Sequence, residues 1–116
     1  GVLEAALAHL RAEFGTLPGD VEAAIGPAIG GCCYEVGPEV RAAFEARAPG
    51  VTAPAWDERR ERPRVDLRMA AQLLLGAAGV PTVVVRGPCT SCGQGFHSYR
   101  RDGGTTGRQL SFIGWQ

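Results

Sequence analysis

Apolar residues recur at helical spacing from the first positions of the chain: Val2, Leu3, Ala6, Leu10 and Phe14, with Gly15 stopping the pattern. That periodicity predicts a helix over 2–14. Thr16 to Asp20 reads as a turn and Val21 to Ile25 as a short strand running into a glycine-rich segment. Pro38 sits where the first turn of a helix tolerates proline, and the helix continues through Ala46. Pro49 to Pro63 is charged and irregular, a solvated loop around Trp56. Asp66 can cap a helix carrying Leu67, Met69, Ala70, Leu73, Leu74 and Ala77, with Gly79 as its left-handed stop. Thr82 to Arg86 is β-branched and bounded by Pro81 and Gly87, the clearest strand. Phe96 to Arg101 and Gln109 to Ile113 read as two further strands. Alternating helix and strand predict an α/β or α+β chain, with mixed sheets flanked by helices.

Composition narrows the chemistry. The 116 residues form one unit over 1–116, and an apolar content of 45% supports a core. A formal net charge of +0 leaves no global field to draw in nucleic acid or an anionic membrane, so neither is an expected partner. All 12 basic residues are arginine, which excludes Schiff-base chemistry and a lysine general base. There is no run of 18 apolar residues and no signal-peptide pattern. Cysteines at positions 32, 33, 89 and 92 do not resemble a secreted disulfide framework, so a reducing cytoplasm is the expected location.

Two segments carry candidate chemistry. Phe96 to Arg108 sets Arg100, Arg101 and Arg108 among glycines and hydroxyls; guanidinium forks match phosphate oxygens, and glycines let backbone amides approach the same anion. Gly26 to Gly37 delivers Cys32 and Cys33 from a glycine-rich turn, where amide dipoles can stabilise a thiolate. Of two neighbours on an extended backbone, one faces the site and the other the core. Cys89-Thr90-Ser91-Cys92 has redox or zinc spacing, but Gly93-Gln94-Gly95 follows where a redox motif would open a helix. A four-cysteine zinc site calls for two such knuckles, and the adjacent pair is not one, so these read as structural loop cysteines. His97 is open to roles as proton donor, ligand or surface residue, whereas His9 reads as surface. Glu35 and Asp66 are candidate acid/base or orienting carboxylates, with a helix cap the plainer role for Asp66.

Taken together, these segments resemble the YfiH, laccase-domain or polyphenol oxidase family. The matching pieces are Gly26-Pro27-Ala28-Ile29-Gly30, then Cys32-Cys33-Tyr34-Glu35-Val36-Gly37, Val65-Asp66-Leu67, Gly79-Val80, Cys89-Thr90, Ser98-Tyr99-Arg100-Arg101-Asp102 and Thr106-Gly107-Arg108. The resemblance implies a YfiH-like α/β fold grouped with a bacterial toxin whose catalytic pair is cysteine and histidine. It also implies a zinc-dependent enzyme that phosphorolyses adenosine, inosine and methylthioadenosine and deaminates adenosine. On it, Cys32 becomes metal ligand or nucleophile, while Arg100, Arg101 and Arg108 hold phosphate or substrate, and Tyr34 and Tyr99 stack on the base. The family's metal site also needs a histidine from a motif preceding this segment and another near Ala48, where this chain has none. Members of the family are roughly twice as long, so the chain reads as a C-terminal half, with self-association or pairing with an N-terminal half expected. Rival expectations are a cysteine hydrolase acting on a peptidoglycan precursor, a copper polyphenol oxidase, and a non-catalytic half that needs a partner.

Overall fold

In the computed structural model, which describes residues 1–114, the predicted helices form where their apolar spacing placed them. Helix α1 spans Val2–Phe14 and ends at Gly15, whose φ of 66° is the left-handed conformation that glycine adopts without strain. Strand β1 spans Glu22–Ile25. Helix α2 spans Pro38–Arg47, with Gly37 as N-cap and Pro38 in its first turn. The charged stretch expected to be loop instead contains a small hairpin, in which β2 (Trp56–Asp57) pairs antiparallel with β3 (Arg64–Val65). Helix α3 spans Leu67–Ala77, and β4 spans Thr82–Val85.

Strands β1 and β4 pair in parallel, from Glu22 opposite Thr82 to Ile25 opposite Val85. Helix α3 packs against both strands, and α1 lies on α3. A separate core forms under the hairpin, where Val36, Ala55, Val65 and Ala70 are buried beneath Phe44, Trp56, Leu67 and Leu73. The burial explains the hairpin: Trp56 meets Phe44 edge to face at 5.6 Å, and its indole N–H donates to the fully buried Thr52 hydroxyl at 3.3 Å. Its exposed flank carries the Arg41 guanidinium 5.0 Å from the ring centre.

Two predicted strands do not form. Phe96 to Arg101 is a succession of turns, and Gln109 to Ile113 runs as irregular chain. Leu110, Phe112 and Ile113 are 88%, 93% and 84% exposed, so the apolar alternation that predicted a strand has no core to face. Helix α1 likewise buries none of its side chains, and the radius of gyration is 15.3 Å, against about 13 Å for a compact domain of this length. Among the described residues, no helix is long and apolar enough to cross a membrane.

Asp66 caps α3 as its sequence position predicts, accepting from the Arg68 and Met69 amides at 3.0 and 3.4 Å. Burial pushes its pKa up, but the Arg68 guanidinium and these amides outweigh burial and hold the carboxyl below its ordinary value. Asp66→Ala is expected to cost about 1–2 kcal/mol, read as a lower melting temperature, with Asp66→Asn retaining most of the cap. Because the folded pKa is depressed, the contribution is present above the unfolded value near 4 and is lost as pH falls through the folded one.

Candidate functional site

The C-terminal ends of β1 and β4 run into the two segments singled out from the sequence. A parallel bridge between Ala28 and Cys89 carries the pairing past both strands, with the Thr90 amide donating to the Ala28 carbonyl at 3.1 Å. Cys33 and Tyr34 amides both donate to the Gly30 carbonyl, at 2.9 and 3.0 Å, which winds the glycine-rich segment into a turn. The turn overrides the alternation expected for adjacent cysteines. The sulfurs of Cys32, Cys33, Cys89 and Cys92 all lie within 4.8 Å of one another, with Cys32 and Cys92 at 3.6 Å. A tertiary contact thus brings Cys89 and Cys92 to Cys32 and Cys33 and supplies the second pair that sequence spacing did not.

Within the cluster the sulfurs are unequal. Desolvation, then the thiols of Cys33, Cys89 and Cys92, push Cys32 up to about 12. Cys32 is exposed as a residue, and the neighbouring sulfurs reinforce the desolvation that raises it. Cys89 is buried, which raises its pKa, but backbone N–H groups of Cys92, Gly30 and Ser91 overcome this and hold it at about 6. Gly30 donates to the Cys89 sulfur at 3.2 Å. The anionic character sits on the buried sulfur, not on Cys32.

The arginine segment is organised around Arg101. Its Nη1 donates to the carbonyls of Thr90, Ser91 and Gly93 at 3.2–3.4 Å, and Nη2 to that of Phe96 at 2.8 Å. Nε and Nη2 also grip Asp102, at 2.8 and 3.1 Å. A guanidinium has five N–H donors, and these contacts occupy them. That clamp ties the Phe96 carbonyl of the predicted strand to the turn at Thr90–Gly93. Asp102 closes the loop, accepting from the Ser98 amide at 3.3 Å and the Thr106 hydroxyl at 3.1 Å. Arg101, with the Ser98 amide and Thr106 hydroxyl, holds Asp102 down at about 2. A depressed carboxylate stabilises above its unfolded pKa near 4 and stops doing so as pH falls through about 2. Exchange protection of the Ser98 and Arg101 amides is therefore expected to persist at pH 5 and vanish between about pH 4 and 2, measured by NMR.

Arg100 and Arg108 stand apart from the clamp. Arg100 donates to the Glu35 carbonyl at 3.2 Å and lies 5.1 Å from the centre of the Tyr34 ring. Among the described residues Arg108 makes no hydrogen bond or ion pair. Two adjoining cavities share His97 and Tyr99 as walls. One, of about 300 Å³, is completed by Ile29, Tyr34, Leu67, Thr90 and Arg100. The other, of about 640 Å³, holds Arg108, Thr106, Gln109 and Pro27. The Thr106 hydroxyl donates to Asp102 at 3.1 Å and sits 3.5 Å from His97 Nδ1. Glu35 is taken by Arg64 at 2.7 Å; that hydrogen bond and charge keep it ionised and remove it as an acid. His9 lies on exposed α1, away from both cavities.

A parallel strand pair bears at its carboxyl ends a thiol cluster and an arginine loop beside an aromatic cleft, within a mixed α/β arrangement. The chain belongs to the family described as multi-copper polyphenol oxidoreductase laccase, whose model matches residues 1–116. It is 46% identical to purine nucleoside phosphorylase YlmD of Geobacillus stearothermophilus, over 84% of this chain and 37% of that protein. It is 45% identical to a purine nucleoside phosphorylase of Deinococcus radiodurans, over 86% and 38% of the two chains. Among solved structures it matches Bacillus licheniformis hypothetical protein YfiH with a TM-score of 0.75 at 34% identity, covering 89% of this chain and 40% of that one. Neisseria meningitidis protein NMB0706 gives a TM-score of 0.77 at 33% identity, covering 91% and 44%. The chain thus spans less than half the length of these relatives, and the mixed α/β fold is a partial domain of the YfiH kind.

Proposed function

We propose that this chain supplies the phosphate- and base-binding side of a purine nucleoside phosphorylase, cleaving inosine, adenosine and methylthioadenosine to free base and ribose 1-phosphate. The observation that carries the reading is the twin cleft, with Arg100 in one lobe, Arg108 in the other, and His97 and Tyr99 between them. Phosphate binds to the two guanidiniums, which neutralise its charge as it attacks the anomeric carbon. Tyr99, 74% exposed, offers the face on which a purine stacks, while the Tyr34 ring is occupied by Arg100 and positions it. His97 protonates the departing base through Nε2 once charged, with Asp102 and Thr106 orienting the ring. Arg101 acts on the loop rather than on phosphate, because its donors are committed.

Zinc is the metal this reading carries. The catalytic ligand set implied by the resemblance does not fit the described residues, since Ala48 closes α2 and the sequence has no histidine between Cys33 and His97. The donor set that does fit a thiophilic ion is the four-sulfur cluster, and there zinc supplies structural rigidity rather than an activated water. A sulfur-only cluster also suits copper oxidase chemistry poorly, which calls for histidines beside cysteine. Adenosine deamination would need an open zinc position, so it is the weaker of the two activities on this geometry. A hydrolase using Cys32 as nucleophile is disfavoured by a thiol held near 12. Phosphate-dependent release of base from inosine tests the proposal; release independent of phosphate, or none, refutes it.

A further inference from the structure

We propose that Cys32, Cys33, Cys89 and Cys92 form a closed four-thiolate site for one zinc ion, which staples the turn after β1 to the turn after β4 and thereby sets the arginine loop. This goes beyond the phosphorylase reading and stands without it. The first support is distance. Zinc–sulfur bonds of about 2.3 Å place tetrahedral sulfurs about 3.8 Å apart. The Cys32–Cys92 separation is 3.6 Å, and all four sulfurs already lie within 4.8 Å. Small side-chain rotations close the remainder.

The second support is the local backbone. The Cys89 sulfur accepts the Gly30 amide N–H across the cluster at 3.2 Å. Such an amide orients and stabilises a bound thiolate as outer-sphere partners do. The turn is built so tightly that position 93 must be glycine: its amide donates to the Cys89 carbonyl at 2.8 Å, and a Cβ there would overlap that carbonyl oxygen. At position 30 a Cβ would crowd the Cys32 sulfur and the Cys89 Cβ, each at 3.3 Å, and the Arg68 guanidinium at 2.9 Å. Gly93 is dictated by the tightness of its own turn, and Gly30 by the approach of Arg68 and of the Cys89 turn.

Charge and access fit as well. A four-thiolate zinc site carries a net charge of about −2. Arg64 donates to the Cys32 carbonyl at 2.6 Å, and Arg101 to the carbonyls of Thr90, Ser91 and Gly93 around the second turn. Cys32 and Cys92 are exposed, which gives the ion an entry path, while Cys89 is buried beneath them. Zinc binds the Cys89 thiolate directly and displaces the proton of each remaining thiol to solvent, and no electron is transferred. Four sulfurs complete the tetrahedron, so no position remains for water or substrate. Because Arg101 hangs the arginine loop on carbonyls of the Cys89–Gly93 turn, ordering that turn orders the loop.

The test uses the full chain, reduced, stripped with chelator and titrated with cobalt(II), then zinc. One equivalent of cobalt is expected to give the intense visible bands of a tetrahedral ion with sulfur-to-cobalt charge transfer, and one equivalent of zinc to displace it. Zinc is expected to raise the melting temperature and to slow exchange of the Ser98 and Arg101 amides at least tenfold. Cys33→Ser and Cys92→Ser, with folding checked by circular dichroism, are each expected to bind at least tenfold more weakly with less charge transfer. Weak octahedral cobalt bands, unchanged affinity in both variants, or reduced protein that binds no metal would overturn the site. Metal binding without slower exchange would overturn its hold on the arginine loop. None of these readouts depends on nucleoside turnover, so failure here and failure of the phosphorylase reading are distinguishable.

Discussion

Arg101→Ala is expected to unravel the loop between Gly93 and Thr106 and to lower the denaturation midpoint of the chain, because it removes every hydrogen bond of a charged donor. The side chain bridges four carbonyls and one carboxylate with a planar fork. Removing it strands those acceptors and leaves Asp102 without its cation. Partial exposure of both side chains, 40% and 29%, keeps the loss below that of a fully buried pair. Arg101→Lys is expected to rescue little, because an ammonium is a point donor that cannot reach Phe96, Thr90 and Asp102 together. Chemical denaturation followed by circular dichroism measures the loss. If Arg101→Lys matched the parent chain, charge alone would be acting and the clamp would be disproved.

Arg100→Ala is expected to behave oppositely. Its attachments are one carbonyl at 3.2 Å and the face of Tyr34, so the melting temperature should change little. In the proposed reaction it faces the anion, and its loss should lower kcat/KM for phosphate about a hundredfold, the usual cost of removing one transition-state charge partner. Arg100→Lys should recover part of this by restoring charge without the fork. Kinetics at varied phosphate, with inosine saturating, measure the effect. A stable Arg100→Ala protein with unaltered phosphate dependence would move the anion site away from this lobe.

The helices and the parallel strands were legible because each carries its own signal. Spaced apolar residues mark α1 and α3, Asp66 marks a start, Gly15 and Gly79 mark stops, and β-branched Thr82 to Val85 marks a strand. The hairpin at Trp56 was not legible, since each of its strands is two residues long and its cause is burial of an indole against a distant helix. Phe96 to Arg101 has strand composition, but the Arg101 side chain ties the Phe96 carbonyl to the Thr90–Gly93 turn instead of leaving it to a ladder. Leu110 to Ile113 shows that apolar alternation without a surface to cover does not make a strand.

The site was half visible. The glycine-flanked arginines and cysteines could be picked out as chemistry-bearing, but their division of labour could not. That Arg101 faces its own loop, while Arg100 and Arg108 face cavities, follows from side-chain directions no spacing encodes. The four-sulfur cluster escaped a search for two spaced knuckles because one partner is an adjacent pair folded back by a glycine turn. A signal was present: Gly30 and Gly93, each close to a cysteine pair, stand where an added Cβ would meet the Cys89 turn.

The central claim is that the twin cleft binds phosphate and directs it onto a purine nucleoside. Its most direct test is phosphorus NMR of the protein incubated with inosine and inorganic phosphate. The account predicts a ribose 1-phosphate signal that grows in step with hypoxanthine and is lost in Arg100→Ala. Hypoxanthine appearing with free ribose, or no consumption of phosphate at all, would contradict it.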